Sequence, residues 1–313
     1  MRIGIDIMGG DYAPKTTTEG AVLAKNELPN DCKLVLIGNE KLIREELNLL
    51  NANANDFDIV HTEEVIEMGE HPIKAIKNKP KSSIGLGFHL LKNNQIDGFC
   101  GAGNTGAMMI GSMYSVQPIP GIIRPCITSV LPTVDGKNSI LLDVGANADC
   151  KPDVLYQFAV LGSLYAKSVY GIEKPRVGLL NIGEEETKGN LLTIAAHKLM
   201  SESDEINFIG NIEGRDLFTG IADVIVCDGF TGNIALKQAE GLYTLMYKRG
   251  IRDEYFDRFN YENYGGTPIL GVKGNVIIGH GISNDKAVKS MLLHSYEVAK
   301  SDLTKNINEA FNQ

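Results

Sequence analysis

Gly101-Ala102-Gly103-Asn104-Thr105-Gly106 matches the spacing G-x-G-x-x-G. In that pattern glycines let a backbone turn come close to a phosphate where a helix begins. The run Ile96 to Cys100 reads as the strand before this loop, and Ala107 to Ser115 as the helix after it. A dinucleotide also requires an acidic residue about 20 positions on, to hold a ribose hydroxyl. Between Ala107 and Val134 there is no Asp or Glu; the segment carries Pro118, Pro120, Pro125 and Pro132 and a single charge, Arg124. The chemistry on offer is phosphate binding without a ribose partner.

Four more glycine-rich segments follow strand-like runs, where open α/β sheets place their ligands. Asp6 to Pro14 pairs Gly9 with Gly10 between two acids, and reads equally as a ligand loop or a tight turn with a capping Asp. Asp143 to Pro152 bunches Asp143, Asn147, Asp149 and Lys151 more densely than a turn needs. Asn181 to Gly189 sets Glu184, Glu185 and Glu186 ahead of Lys188. That is either a solvated helix start, which acids suit, or a lysine held by carboxylates to meet a phosphate or a developing negative charge. Cys227 to Asn233 offers Asp228, Gly229 and Asn233 at a helix opening. Upstream, Gly210 to Arg215 adds Asn211, Glu213 and Arg215, and a late turn presents His280 between Gly279 and Gly281.

Other chemistries are missing. No G-x-S-x-G elbow, no phosphate-loop lysine motif and no H-E-x-x-H occur. Histidine spacing supports no metal site, and no cysteine stands in a recognisable nucleophile context. The five cysteines, Cys32, Cys100, Cys126, Cys150 and Cys227, are odd in number and widely spaced, so they read as buried thiols in a reducing cytosol. A net charge of −9 disfavours nucleic acid as a partner. The chain enters a strand at Arg2 without a basic-then-apolar leader, and no apolar run approaches 18 residues. The expectation is a soluble cytoplasmic protein.

The elements that must position these loops alternate along 313 residues. Strands are expected at Ile3 to Ile7, Lys33 to Ile37, Phe57 to His61, Ile96 to Cys100, Ile140 to Val144, Arg176 to Leu180, Asn207 to Ile209, Val224 to Cys227 and Val276 to Ile278. Helices are expected over Thr18 to Lys25, Lys41 to Leu50 and Ser82 to Lys92. Most of the strands are continuous Val/Ile/Leu runs, which implies a largely parallel sheet covered on both faces. With no flexible linker in view, residues 1–313 read as one composite α/β domain. Gly241 to Tyr264 has a different texture, mixing aromatics with Lys248, Arg249, Arg252 and Arg258. It reads as a helix pair packed on the body or a second subunit, or as an apolar arm (about 236–264) for an acyl chain, a partner or a membrane surface.

Taken together, DIMGGDYAPK, GAGNTGAMM, IRPCITSVLPT, LLDVGANADCKP, GLLNIGEEETKGN, FIGNIEGRDLF, ADVIVCDGFTGNIALK, YGGTPILGVKG and VIIGHGISN resemble the bacterial PlsX family over nearly the whole chain. These are phosphate acyltransferases that act on acyl carrier protein thioesters. The resemblance implies a three-layer α/β/α sandwich of the isocitrate/isopropylmalate-dehydrogenase-like type, a homodimer, no cofactor, and peripheral contact with the inner face of the cell membrane. The implied reaction moves a fatty acyl group to inorganic phosphate, and the acyl phosphate feeds a membrane glycerol-3-phosphate acyltransferase. Ile7 and Tyr12 stand where the family often has Ala and His. Phosphate is a competent nucleophile, so the enzyme has only to align it and stabilise the oxyanion and the thiolate. On this reading Lys188, His280 and Asp228 are the catalytic candidates. Asp6, Gly9, Gly10, Asn104, Thr105, Gly106, Arg124, Asp143, Asn147, Asn181, Glu184, Asn211, Gly229 and Asn233 are the candidates for binding substrate or phosphate. No metal is implied.

Overall fold

The computed structural model describes residues 1–312. In chain order the elements are β1 (Arg2–Asp6), α1 (Lys15–Glu27), β2 (Lys33–Gly38), α2 (Glu40–Leu49), β3 (Phe57–His61), α3 (Pro72–Asn78), α4 (Ser83–Lys92), β4 (Gly98–Gly101) and α5 (Thr105–Gly111). A π-helical turn, Ser112–Val116, extends α5. There follow β5 (Cys126–Pro132), β6 (Asn138–Leu142), α6 (Pro152–Tyr170), β7 (Arg176–Asn181), α7 (Leu191–Ser201), β8 (Asn207–Glu213), β9 (Val224–Val226) and α8 (Gly229–Lys248). The chain closes with α9 (Glu254–Asp257), β10 (Thr267–Leu270), β11 (Asn275–Ile278), α10 (Asp285–Lys300) and α11 (Leu303–Phe311).

Contacts gather these elements into two compact units. Unit 1 holds Met1–Pro118 and Tyr261–Thr304. Its strands run β3-β2-β1-β4-β11-β10, parallel except for the β10–β11 pair. Consecutive residues Ile3, Gly4 and Ile5 are all buried, which requires cover on both faces of β1. Helix α10 packs against β1, β4 and β11, and α4 against β1, β2 and β4. Unit 2 holds Ile119–Asn260 and the described residues from Lys305 onward. Its order is β5-β6-β9-β7-β8, with only β5–β6 antiparallel. Helix α6 lies on β6 and β9 and against α7. Each unit is therefore a mostly parallel α/β assembly, as the Val/Ile/Leu runs imply.

Helix starts follow ordinary capping chemistry. Asn39, Ser82, Asn104, Asn190, Asp228 and Asn284 each accept an amide of the first turn of the helix they open. A capping side chain satisfies donors that no helical carbonyl can reach. Two strands were not expected from the sequence, β5 and β10. Each carries a proline (Pro132, Pro268) and lies in an antiparallel pair. The segment over 236–264 also differs from a helix pair. Its first half is the distal part of a single 20-residue helix, α8, and its second half contains the one-turn α9 and a 3-10 turn, Tyr261–Asn263.

Candidate active site

The candidates divide between the units. Asp6, Gly9, Gly10, Asn104, Thr105, Gly106 and His280 belong to unit 1, and the remainder to unit 2.

In unit 1 the loops after β1, β4 and β11 press together. A Cβ on Gly9 would lie 2.8 Å from the Gly103 nitrogen, and one on Gly279 would lie 3.3 Å from the Ala102 side chain. The Asp11 amide donates to the Gly281 carbonyl at 2.8 Å, beside Gly10 at φ +118°. Asp6 sits beneath this contact, 1% exposed, and accepts the Met8 amide at 3.0 Å. Burial pushes its carboxyl up to about 6, offset in part by the Ser83 hydroxyl and the backbone N–H groups of Met8 and Gly9. Asn104 is buried and its amide is fully engaged. Nδ2 donates to the carbonyls of Glu67, Met68 and Glu70 at 2.9–3.1 Å, while Oδ1 accepts from Ala107. It locks the 67–70 loop onto α5; the exposed Thr105 and half-buried Gly106 follow it. His280, half-buried, meets the Tyr261 ring edge-on at 5.9 Å.

In unit 2, Asp143 is a hub. Its Oδ1 accepts the amides of Ile127 (3.0 Å) and Ala146 (3.3 Å), and its Oδ2 accepts the Asn147 amide (2.6 Å) and Asn147 Nδ2 (3.0 Å). Burial still holds its carboxyl above the usual range despite these donors. Asn147 also donates to the Pro125 carbonyl at 2.8 Å, tying the loop to the segment bearing Arg124. Arg124 donates to the Asp149 carbonyl at 3.0 Å. The first turn of α8 lies against this hub. A Cβ on Gly229 would stand 2.7 Å from Asp143 Oδ2, and one on Gly232 would collide with the Asp143 carbonyl oxygen. Asn233 lies exposed beside Gly145.

At the carboxyl ends of β7 and β9 a pocket of about 310 Å³ opens, lined by Asn181, Asn190, Thr193, Cys227, Asp228 and Thr231 among others. Asp228 caps α8, taking the Thr231 amide and the Thr231 hydroxyl at 2.8 Å each. Asn181 closes the 181–189 loop by donating to the Lys188 carbonyl at 3.0 Å. Lys188 itself is exposed, and among the described residues no carboxylate pairs with its ammonium. Of the neighbouring glutamates, Glu184 pairs with Arg215 at 3.2 Å, and the backbone carbonyl of Glu185 accepts from the buried Asn211. The sequence expectation of a lysine held by carboxylates is not what forms.

No activated thiol stands in this neighbourhood. Burial drives the Cys227 thiol well up, with the Asp228 and Asp143 charges adding to it. Burial and the same two carboxylates push Cys150 to about 11. Among the described residues no cluster of side chains could hold a metal ion.

Thr231 and Leu180 are shared with a second, larger cavity of about 550 Å³. Its walls are Leu217, Phe218, Ala235, Ala239, Leu242 and Met246, with Tyr255, Phe256 and Phe259 closing one side. Sequence reasoning placed an apolar arm here but missed that the arm continues from the polar pocket. It also missed Asn190, Thr193 and Thr231 as pocket residues. The legible signal was the run of 231, 235, 239, 242 and 246 at helical spacing.

Comparison with known proteins decides what this architecture belongs to. Residues 1–253 match the family described as fatty acid synthesis protein. A phosphate acyltransferase of Dictyoglomus turgidum is 42% identical over 100% of this chain and 98% of its own, and that of Pelotomaculum thermopropionicum is 44% identical over 99% and 95%. The chain belongs to the phosphate acyltransferase family. It is an acyltransferase of fatty acid and phospholipid synthesis, and the PlsX resemblance read from its motifs holds. The fold has solved counterparts at low identity. A phosphotransacetylase of Streptococcus pyogenes aligns with TM-score 0.67 at 17% identity, covering 96% of this chain and 94% of its own. A branched-chain phosphotransacylase of Enterococcus faecalis aligns at 0.64 and 14%, covering 96% and 99%. These likenesses bear out the three-layer α/β class for this phosphate acyltransferase. Among its described residues no helix is long and apolar enough to cross a membrane.

Proposed function

We propose that the chain transfers a long-chain acyl group from the thioester of acyl carrier protein to inorganic phosphate, and that its acyl phosphate serves glycerol-3-phosphate acylation by a membrane enzyme. The observation that carries this reading is the strand-end pocket of unit 2. It is rich in hydrogen-bonding groups yet its only thiol, Cys227, is held protonated by burial. A pocket without an ionised thiol suits a reaction in which the substrate brings the nucleophile.

A phosphate oxygen attacks the thioester carbonyl carbon, the C–O bond forms, and the C–S bond breaks with the electron pair leaving on sulfur. The thiolate takes a proton and departs as the carrier thiol. Catalysis then consists of alignment and charge stabilisation. Lys188 is the cation we assign to the developing negative charge; it is exposed, and among the described residues no carboxylate is ion-paired with it. Asn181 and Asp228 hold the walls of the pocket, and Arg124 offers a second cation to phosphate. Asp143, Asn147, Gly229 and Asn233 set the loop geometry. Lys248 and Arg249, exposed at the end of α8, suit an acidic carrier protein or an anionic membrane surface. A homodimer in loose contact with the inner membrane face fits the same reading.

The test mixes purified protein with palmitoyl-carrier protein, with and without inorganic phosphate, and follows free carrier thiol and acyl phosphate by mass spectrometry. Phosphate-dependent release of both supports the reading. Turnover only with a coenzyme A thioester, or carrier binding without turnover, refutes it. Lys188→Ala is expected to lower kcat by about 10²–10³-fold; a loss under threefold removes Lys188 from the mechanism. Separate substitutions at Thr105 and His280 read whether unit 1 contributes to turnover.

A further inference from the structure

We infer that the 550 Å³ cavity along α8 is the acyl-chain site, and that Ala235 and Ala239 set the chain length it accepts. The inference rests on the acyltransferase reading and adds to it a subsite and its specificity residues.

Three observations converge. The first is chemical. Among the lining residues Thr231, Gln238 and Tyr243 carry polar groups, the hydroxyl of Tyr255 is spent on the Pro132 carbonyl at 3.2 Å, and no charged residue is present. A ligand held here offers hydrocarbon and little else. The second is continuity. Leu180 and Thr231 wall both this cavity and the polar pocket that holds Asn181 and Asp228. A molecule occupying both has a polar reacting end and an apolar tail. The third is direction. Thr231, Ala235, Ala239, Leu242 and Met246 recur at three- and four-residue spacing and so form one stripe along α8. At 1.5 Å per residue the stripe is ~22 Å long. A lipid tail in one leaflet of a bilayer spans about 15 Å, half the hydrocarbon thickness. The stripe is thus long enough for one extended chain, and its volume lies in the range of about 300–1,000 Å³ usual for small-ligand pockets.

Side-chain size along the stripe gives the ruler. The two alanines nearest Thr231 leave room where the tail must pass, and the longer Leu242 and Met246 stand further on. A bulky residue at 235 therefore blocks the path earlier than one at 239. A second copy of the chain could cover the same apolar walls, but it would have no reason to reach Thr231 in the polar pocket.

The experiment uses the full chain and carrier protein charged with C4, C8, C12 and C16 acyl groups. For wild type, kcat/KM rises with chain length by up to about fourfold per methylene, the equivalent of about 0.8 kcal/mol each. Ala239→Trp is expected to lose at least about 100-fold on C16 while staying within about threefold on C4. Ala235→Trp is expected to move the cut-off to a still shorter chain. Retained C4 turnover shows that the variants fold. An unchanged chain-length profile, or an equal fall on all four substrates, overturns the inference. So does a concentration-dependent dimer that Ala239→Trp dissociates without altering the profile. Calorimetry with palmitate separates the two readings. Wild-type binding lost in Ala239→Trp, with no turnover of any thioester, sinks the acyltransferase reading and keeps the cavity assignment.

Discussion

Asp6 ends β1 of unit 1, and Asp143 directly follows β6 of unit 2. Both carboxylates are buried beneath a glycine-rich loop, and burial raises both above the ordinary carboxylate range. They differ in what compensates for lost water. Asp143 receives four N–H donors, three from backbone and one from Asn147. Asp6 accepts the Met8 amide, with the Ser83 hydroxyl and the Gly9 amide also lowering its carboxyl, and still rises to about 6. The same residue type at the same kind of strand end is caged by four N–H donors in one unit and rises to about 6 in the other. In both, burial is the larger effect and the hydrogen-bond donors offset only part of it.

The largest test breaks the hub from outside. Gly232→Ala drives a Cβ into the Asp143 carbonyl oxygen, backbone against helix, with no flexible side chain to yield. We expect a loss of about 4 kcal/mol or more in urea titration, at the upper end for single substitutions. A loss below about 1 kcal/mol would mean that α8 and the 143–147 loop are not held as tightly as this contact requires.

Asp143→Ala breaks it from inside. Ile127 and Asn147 are left with buried amides that have no acceptor, and each such group costs about 1–3 kcal/mol. A total near about 3 kcal/mol is expected, with Asn147→Ala well below it because only the side-chain donor is removed. Equal costs for the two variants would show that the side chain of Asn147, not the carboxylate, is the true hub.

The comparison also marks how far the sequence reached. Burial of both faces is written into runs such as Ile140 to Leu142, which is why the parallel α/β class was legible. The strand-end placement of glycine loops was legible for the same reason. What each polar residue does there was not. Asn104, Asn190 and Asp228 are all helix caps, and a cap and a ligand have the same residue types at the same offset from a strand. Lys188 beside three glutamates suggested an ion pair, yet Glu184 turns to Arg215, 31 positions away. The strands β5 and β10 escaped notice because each holds a proline, which argues against a central strand. The apolar cavity depends on α8, the 214–218 segment and α9 meeting, which no local window contains.

Asp6→Asn sharpens the other side of the comparison. The Asp6 carboxyl titrates near 6 in the folded chain and near 3.8 unfolded, so the folded state binds the proton more tightly. Its contribution is present in full below about pH 4 and is lost as pH rises through 6, a change of up to about 3 kcal/mol. The stability difference between wild type and Asp6→Asn should therefore shift in favour of the variant between pH 4 and pH 7. A flat difference would mean that burial does not raise the Asp6 carboxyl in the folded chain.

The smallest expected effect tests what the hub's charge does to its surroundings. Cys150 lies close enough to Asp143 and Asp228 that both charges oppose its ionisation, and burial opposes it more strongly still, raising the thiol to about 11. At pH 7 only ~10⁻⁴ of it is thiolate, far below what a cysteine nucleophile needs. Cys150→Ser should leave kcat for phosphate-dependent acyl release within about twofold, and iodoacetamide at pH 7 should leave the wild type active. A loss beyond about tenfold, together with an acyl group trapped on Cys150 in the mass spectrum, would replace direct attack by phosphate with a covalent intermediate. It would also mean that Asp143 accepts enough hydrogen bonds to mute its charge at the neighbouring sulfur, which its four N–H donors are placed to do. The serine variant thus asks whether a well-supplied carboxylate still acts as a charge on its neighbours, the point on which Asp6 and Asp143 differ most.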